Sequence, residues 1–314
     1  MRICSLLPSA TEIAFAIGLG DQVVAVSHEC DYPPAASSRP VLTKSAIHQK
    51  IHRSLDVDRE VEQRGGDIYE IDEKLLEHLK PDLILTQELC HVCAVSYTKV
   101  KEAARVLDAD TKIVSLEPTN LEEIVDNILL VGRMTGAQAE AEKLASQMLQ
   151  RISRVKGKTR VVGLRPRVFF MEWLQPPWVG GHWIPEMVDY AGGVDGLGRP
   201  GKPSHRIGWD EVVEYQPQII VLSPCGFDAN QVMEEAHVLE SYQAWEKIPA
   251  FQSSRIYAVN ASAYFSRSGP RVVDGLEILA HIIHPGLFPE NPHPEAVSMV
   301  SKDLILGKRI IETV

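Results

Sequence analysis

The sequence has no apolar run approaching the ~18 residues that a membrane-crossing helix needs, so no membrane span is expected. A secretory leader is equally hard to find, because Pro8, Ser9 and Glu12 interrupt the short apolar start almost at once. On that reading the protein is cytoplasmic as given, and periplasmic or cell-surface if a leader has been removed. Positive charge is short: 32 Lys and Arg stand against 42 Asp and Glu, a formal net charge of -10. Such a surface offers no electrostatic reason to bind nucleic acid and weakly disfavours an anionic membrane. The 5 cysteines are odd in number and few for the length, unlike a secreted disulfide framework. Neither a G-x-S-x-G elbow nor H-E-x-x-H occurs, and no nucleophile stands in a recognisable relation to a base. An enzyme is therefore not expected.

At 314 residues the chain holds about two domains of 100–200 residues each. The first part reads as short apolar strands alternating with helices. Strands are expected at 2–7, Val23–Val26, 82–86 and 113–116. The S-x-x-E spacing of Ser9 and Glu12 predicts a capping box that starts a helix. Further helices are expected over Glu73–Leu79 and 96–107. The middle is different: a helix at 121–134 is followed by 137–155, which contains no Pro or Gly and is rich in strong helix formers. The second part returns to the αβ pattern. Strands are expected at 168–171, Ile219–Leu222 and Ile256–Val259, and helices at 185–190, Trp209–Tyr215, 231–245 and 270–283. Strands separated by helices imply crossovers and parallel pairing. The expected fold is α/β, with two Rossmann-like lobes of mostly parallel sheets joined by one long rigid helix. The boundaries predicted are 1–136 for the first lobe, 137–157 for the connecting helix, 158–285 for the second lobe and 286–314 for a proline-rich tail.

In open parallel sheets ligands bind beyond the carboxyl ends of the strands, so the residues there are the candidates. They are Pro8 and Ser9, then Glu29 and Tyr32, then Gln87 and Cys90, all in the first half. The second half supplies Glu172, Trp173, Trp178, His182 and Trp183, then Cys225 and Phe227, then Tyr264, Phe265 and Arg267. Tryptophan gives large flat contact at low entropic cost, so the cluster from Trp173 to Trp183 suits a broad planar ligand. Replacing Trp178 or Trp183 by Ala is expected to weaken binding without unfolding the protein. Cys90 and Cys93 form a single C-x-x-C, a pattern compatible with redox chemistry or, together with Cys225, with a metal. His28, His91 and His182 are the imidazoles that could reach a metal carried by the ligand.

The segments Ser5-Leu6-Leu7-Pro8-Ser9-Ala10-Thr11-Glu12 and Pro81-Asp82-Leu83-Ile84-Leu85-Thr86-Gln87, with the long middle helix, resemble substrate-binding proteins of the cobalamin and iron-siderophore type. Four further segments resemble the cobalamin-binding subgroup. They are Glu88-Leu89-Cys90-His91-Val92-Cys93, Gly181-His182-Trp183-Ile184-Pro185-Glu186, Pro224-Cys225-Gly226-Phe227 and the run from Tyr264 to Arg271. The resemblance implies a helical-backbone, class III periplasmic-binding-protein fold that closes little. It implies a corrinoid, cobalamin or a relative, as a tetrapyrrole-like ligand held between the lobes for uptake, storage or salvage, with an ABC permease as partner. Two alternatives stay open: a binder of another chelate such as haem or an iron–siderophore, and a metal or redox protein built on the cleft cysteines.

Overall fold

The computed structural model describes residues 1–47, 53–65, 68–88, 97–107 and 110–307. In the first lobe four strands form one parallel sheet: β1 (Ile3–Ser5), β2 (Val23–Val26), β5 (Leu83–Thr86) and β6 (Lys112–Ser115), in the order β2-β1-β5-β6. Cys4 lies opposite Ala25 on one side and Ile84 on the other. The sheet's central strand β5, Leu83 to Thr86, has every residue buried, as expected for a strand covered on both faces. A small antiparallel pair, β3 (Thr43–Ser45) with β4 (Tyr69–Ile71), brackets a helix at Ser54–Gln63. The sequence reading predicted neither the pair nor that helix.

The second lobe carries six strands in the order β12-β11-β10-β7-β8-β9. They are β7 (Val168–Trp173), β8 (Trp178–Val179), β9 (His205–Arg206), β10 (Ile219–Leu222), β11 (Ile256–Val259) and β12 (Val297–Met299). The middle three, β7, β10 and β11, run parallel. The flanking strands are antiparallel. The tail is thus not a loose appendage, since β12 pairs with β11 along its whole length.

The connecting helix spans Gln138–Thr159, 22 residues, about 33 Å at 1.5 Å per residue. It runs past the expected end, carrying Gly157 in its last turn. It folds back on the helix Leu121–Thr135 through Gly136, whose φ of 78° is left-handed. A Cβ on Gly132 would stand 2.4 Å from that of Ala141, so only glycine lets the two helices approach this closely. Ala141, Ala145, Met148, Ile152 and Val155 lie in a single apolar cluster with Ile13 and Ile128 of the first lobe and Val188, Leu276 and Ile283 of the second. One apolar core therefore runs through both lobes and the helix between them.

Several predicted elements start or break elsewhere than expected. The first helix begins at Pro8, with Leu7 at its N-cap and no side-chain cap. Proline at the start has no N–H to satisfy, so Ser9 and Glu12 are free for other partners. The stretch 231–245 breaks into an α-helix at Ala229–Glu235 and 3-10 turns at Ala236–Ser241 and Trp245–Lys247. The helix expected from Pro270 begins at Val272.

Candidate functional site

The loops at the carboxyl ends of the parallel strands of the two lobes face each other, and polar bridges join them at two places. The first joins the start of the first helix to the segment before Val272–Ile283. Glu12, 2% exposed, takes a bidentate contact from Arg271, with Nη2 to Oε1 at 2.6 Å and Nε to Oε2 at 3.0 Å. Arg267 stands 3.4 Å from the same carboxylate, pairs with Asp31 and donates to the Glu29 carbonyl. Tyr32 lies under the Arg271 guanidinium at 4.0 Å, a cation–π contact. Ser9 and Ser268 meet through their hydroxyls at 3.4 Å. Glu29 itself is exposed, and the neighbouring His28 imidazole holds its carboxyl below the ordinary range.

The second bridge is made by the helix Ser54–Gln63. The Ser54 N–H and hydroxyl both donate to Oε1 of Glu235, and the Trp173 indole N–H donates to the Ser54 carbonyl at 3.1 Å. Further along, Arg206 pairs with Asp58 and Glu62 while its guanidinium lies 5.6 Å from the Trp178 ring.

Between these bridges the second lobe presents Glu172, Ser204 and His182. The Ser204 hydroxyl reaches both carboxylate oxygens of Glu172 at 2.9 Å. Burial pushes the Glu172 carboxyl up to about 7. A Cβ on Gly181 would lie 2.3 Å from the Ser204 amide nitrogen, so the close approach of that segment requires glycine. His182 follows with φ of 50°, a left-handed conformation uncommon outside glycine and concentrated at binding sites. Its Nε2 is buried with no hydrogen-bond partner among the described residues, and burial lowers its pKa.

Of the sixteen candidates, Ser9, Glu29, Tyr32, Trp173 and Arg267 take part in the bridges or lie against them. Pro8 and Gln87 are buried at the carboxyl ends of β1 and β5. Trp178, Phe227 and Cys225 are half-buried, and the Phe227 ring meets Trp173 edge-on at 5.7 Å. Tyr264 is buried beneath Arg271 and beside His293.

Trp183 and Phe265 need correction as cleft-facing residues. Trp183 is 6% exposed and Phe265 1%, both belong to the shared core, and the Trp183 indole N–H donates to the Phe265 carbonyl at 2.9 Å. Cys90 and Cys93, with His91, lie outside the described residues, and among the described residues no group of three or more His, Cys, Asp or Glu could hold a metal ion. Cys30 is buried instead, its sulfur accepting from the Thr11 hydroxyl.

Residues outside those candidates carry much of the geometry: Glu12, Arg271, Ser54, Glu235, Arg206 and Ser204. An acid between Ala10 and Ala14 on an apolar helix was the available signal for Glu12, because a buried carboxylate requires a partner. The string Gly196-Leu197-Gly198-Arg199-Pro200-Gly201 has G-x-G-x-x-G spacing. It lies in a loop with no helix opening on it, so it carries no dinucleotide reading.

Comparison with known proteins agrees with this architecture. The periplasmic binding protein family model matches residues 3–263. The chain is 30% identical over 286 residues to the vitamin B12-binding protein of Vibrio cholerae, covering 88% of this chain and 86% of that one. It is 25% identical over 295 residues to the uncharacterized ABC transporter substrate-binding lipoprotein YvrC of Bacillus subtilis, covering 92% and 82%. The crystal structure of the Vibrio cholerae periplasmic vitamin B12 binding protein BtuF superposes with a TM-score of 0.66 at 26% identity, over 90% of this chain and 96% of that one. A periplasmic haem-binding protein, RhuT of Roseiflexus, superposes at 0.67 with 20% identity, over 91% of this chain and 98% of that one, a likeness of fold. The two α/β lobes, the single connecting helix and these matches together make the chain a member of the periplasmic binding protein family, a binder of substrate and not an enzyme.

Proposed function

We propose that this chain captures a corrinoid of the cobalamin type in the cleft between its lobes and delivers it to an ABC importer. The observation that carries the reading is the charge state of the cleft. In the loop that follows β11, Arg267 and Arg271 are both paired with carboxylates, so neither is free to meet an anionic ligand. Haem, with its propionates, and the anionic ferric siderophores call for free cations. A corrin ring rimmed with neutral carboxamides calls for neutral donors and acceptors beside flat apolar surface. Gln87, the Ser223 hydroxyl, the half-buried Glu172 and His182 offer the former, and Trp173, Trp178 and Phe227 the latter. The resemblance to vitamin B12-binding proteins supports the same cargo.

The relatives named above include a periplasmic protein and a lipoprotein, and we propose that this protein too works outside the cytoplasmic membrane; the cytoplasmic expectation finds no support among them. No helix of the described residues is long and apolar enough to cross a membrane. Titration with cyanocobalamin and with haemin in parallel, followed by desalting and a visible spectrum, tests the cargo. Retained corrin absorbance with haemin washed away is expected. Tighter retention of haemin would overturn the assignment.

A further inference from the structure

The helix Ser54–Gln63 belongs to the first lobe by chain order, yet its one buried residue is Ser54, and Ser54 is held by the second lobe. A ten-residue helix is marginal on its own. Its N-cap residue, Arg53, supplies no side-chain cap. The opening N–H is taken instead by Glu235, 181 residues away, whose Oε1 also accepts from the Ser54 hydroxyl. A carboxylate at this end of a helix offsets the unsatisfied amides and the positive end of the dipole. Glu235 is 5% exposed, and its Oε2 is buried with no partner among the described residues. A buried carboxylate satisfied at one oxygen lowers stability unless something compensates, and the helix terminus is what it faces. Trp173 fixes the same turn from the other side by donating to the Ser54 carbonyl. The Arg206 pairs with Asp58 and Glu62 are more exposed and tie down the next two turns.

We propose that Glu235 is a positioning residue that sets how long the cleft holds its cargo: it caps a helix of the opposite lobe, so that this helix is ordered while the lobes are closed and frays when they part. Closure and helix formation are then one event, and the ligand leaves at the rate at which the cap is lost. The proposal rests on the cleft-binding reading above, and the experiment has an arm that does not.

In ligand-free protein, hydrogen exchange over Ser54–Gln63 is compared in wild type, Glu235→Ala and Glu235→Gln. Glu235→Ala is expected to speed exchange there about fivefold or more, the effect of losing a helix cap, and to leave the first-lobe sheet unchanged. Glu235→Gln keeps an acceptor oxygen and is expected to recover part of the protection. In the second arm, the dissociation rate of cyanocobalamin is expected to rise by a similar factor in Glu235→Ala, with the association rate and the melting temperature little changed. A role confined to packing would instead lower the melting temperature without separating the two rates. High salt is expected to weaken the Arg206 pairs and leave the Glu235 effect in place. Unchanged exchange in Glu235→Ala, or an unchanged dissociation rate, overturns the proposal. Failure of wild type to bind cyanocobalamin would count against the corrinoid assignment, while the exchange arm would still decide the capping role.

Discussion

Trp183 offers the sharpest test of where the cleft ends and the core begins. Its ring is 6% exposed and its indole N–H donates to the Phe265 carbonyl at 2.9 Å. A buried tryptophan removes about 200 Å² from water, worth about 5 kcal/mol at ~25 cal/mol per Å². That figure is an upper one, because denatured chains already hide part of the area. Truncations of buried large aromatics to Ala lose about 3–5 kcal/mol. The orphaned carbonyl adds about 1–3 kcal/mol. Trp183→Ala is therefore expected to lose about 4–8 kcal/mol, comparable to the whole stability of an ordinary domain. Trp183→Phe keeps most of the area and is expected to lose about 1–2 kcal/mol, mainly the hydrogen bond. Trp178→Ala, with its half-exposed ring lying near Arg206, is expected to lose less than about 1 kcal/mol of stability while lowering ligand affinity. Urea unfolding followed by circular dichroism, with a cyanocobalamin titration on each folded variant, separates the two effects. A Trp183→Ala protein within about 1 kcal/mol of wild type would refute the core placement.

Two further predictions concern charge. Arg271→Ala leaves the Glu12 carboxylate, 2% exposed, with the weaker Arg267 contact alone, and is expected to destabilise by about 3 kcal/mol. Adding Glu12→Gln should recover most of that loss in a double-mutant cycle, and simple additivity of the two changes would contradict the pairing. The second concerns pH. Glu172 titrates at about 7 in the folded protein against an ordinary 4.5, so the folded state holds this proton more tightly than the unfolded chain. Its stabilising contribution is fully present below about pH 4.5, falls as pH rises towards about 7 and is gone above. Glu172→Gln should remove that share of the slope, and denaturation midpoints across the window, identical in shape for both proteins, would show that Glu172 is not the source.

Val23–Val26, Glu73–Leu79, Trp209–Tyr215, Ile219–Leu222 and Ile256–Val259 were legible to the residue. Each is a short apolar or amphipathic run bounded by a turn residue or a charge, so its identity is local. The strands β8 and β9, two residues each, have no period to read and exist because β7 pairs with them. The helix Ser54–Gln63 was missed for a related reason: its cap comes from Glu235, far along the chain. Glu12 shows the same limit at the site. Its spacing from Ser9 has a local meaning, capping, and a distant one, pairing with Arg271, and local pattern reading chose the former. Trp183 misled because a Gly-rich loop flank resembles exposure, while the ring turns inward to Phe265.

The strand β12 has a consequence for how the chain assembles. Without Val297–Met299, β11 would be the border of its sheet, with unpaired backbone groups open to pairing with another chain. The segment that closes this border is synthesised after every other strand of its sheet. The second lobe therefore stays adhesive until that strand has emerged, and shortening the chain to residue 284 is expected to favour aggregation over a smaller soluble binder.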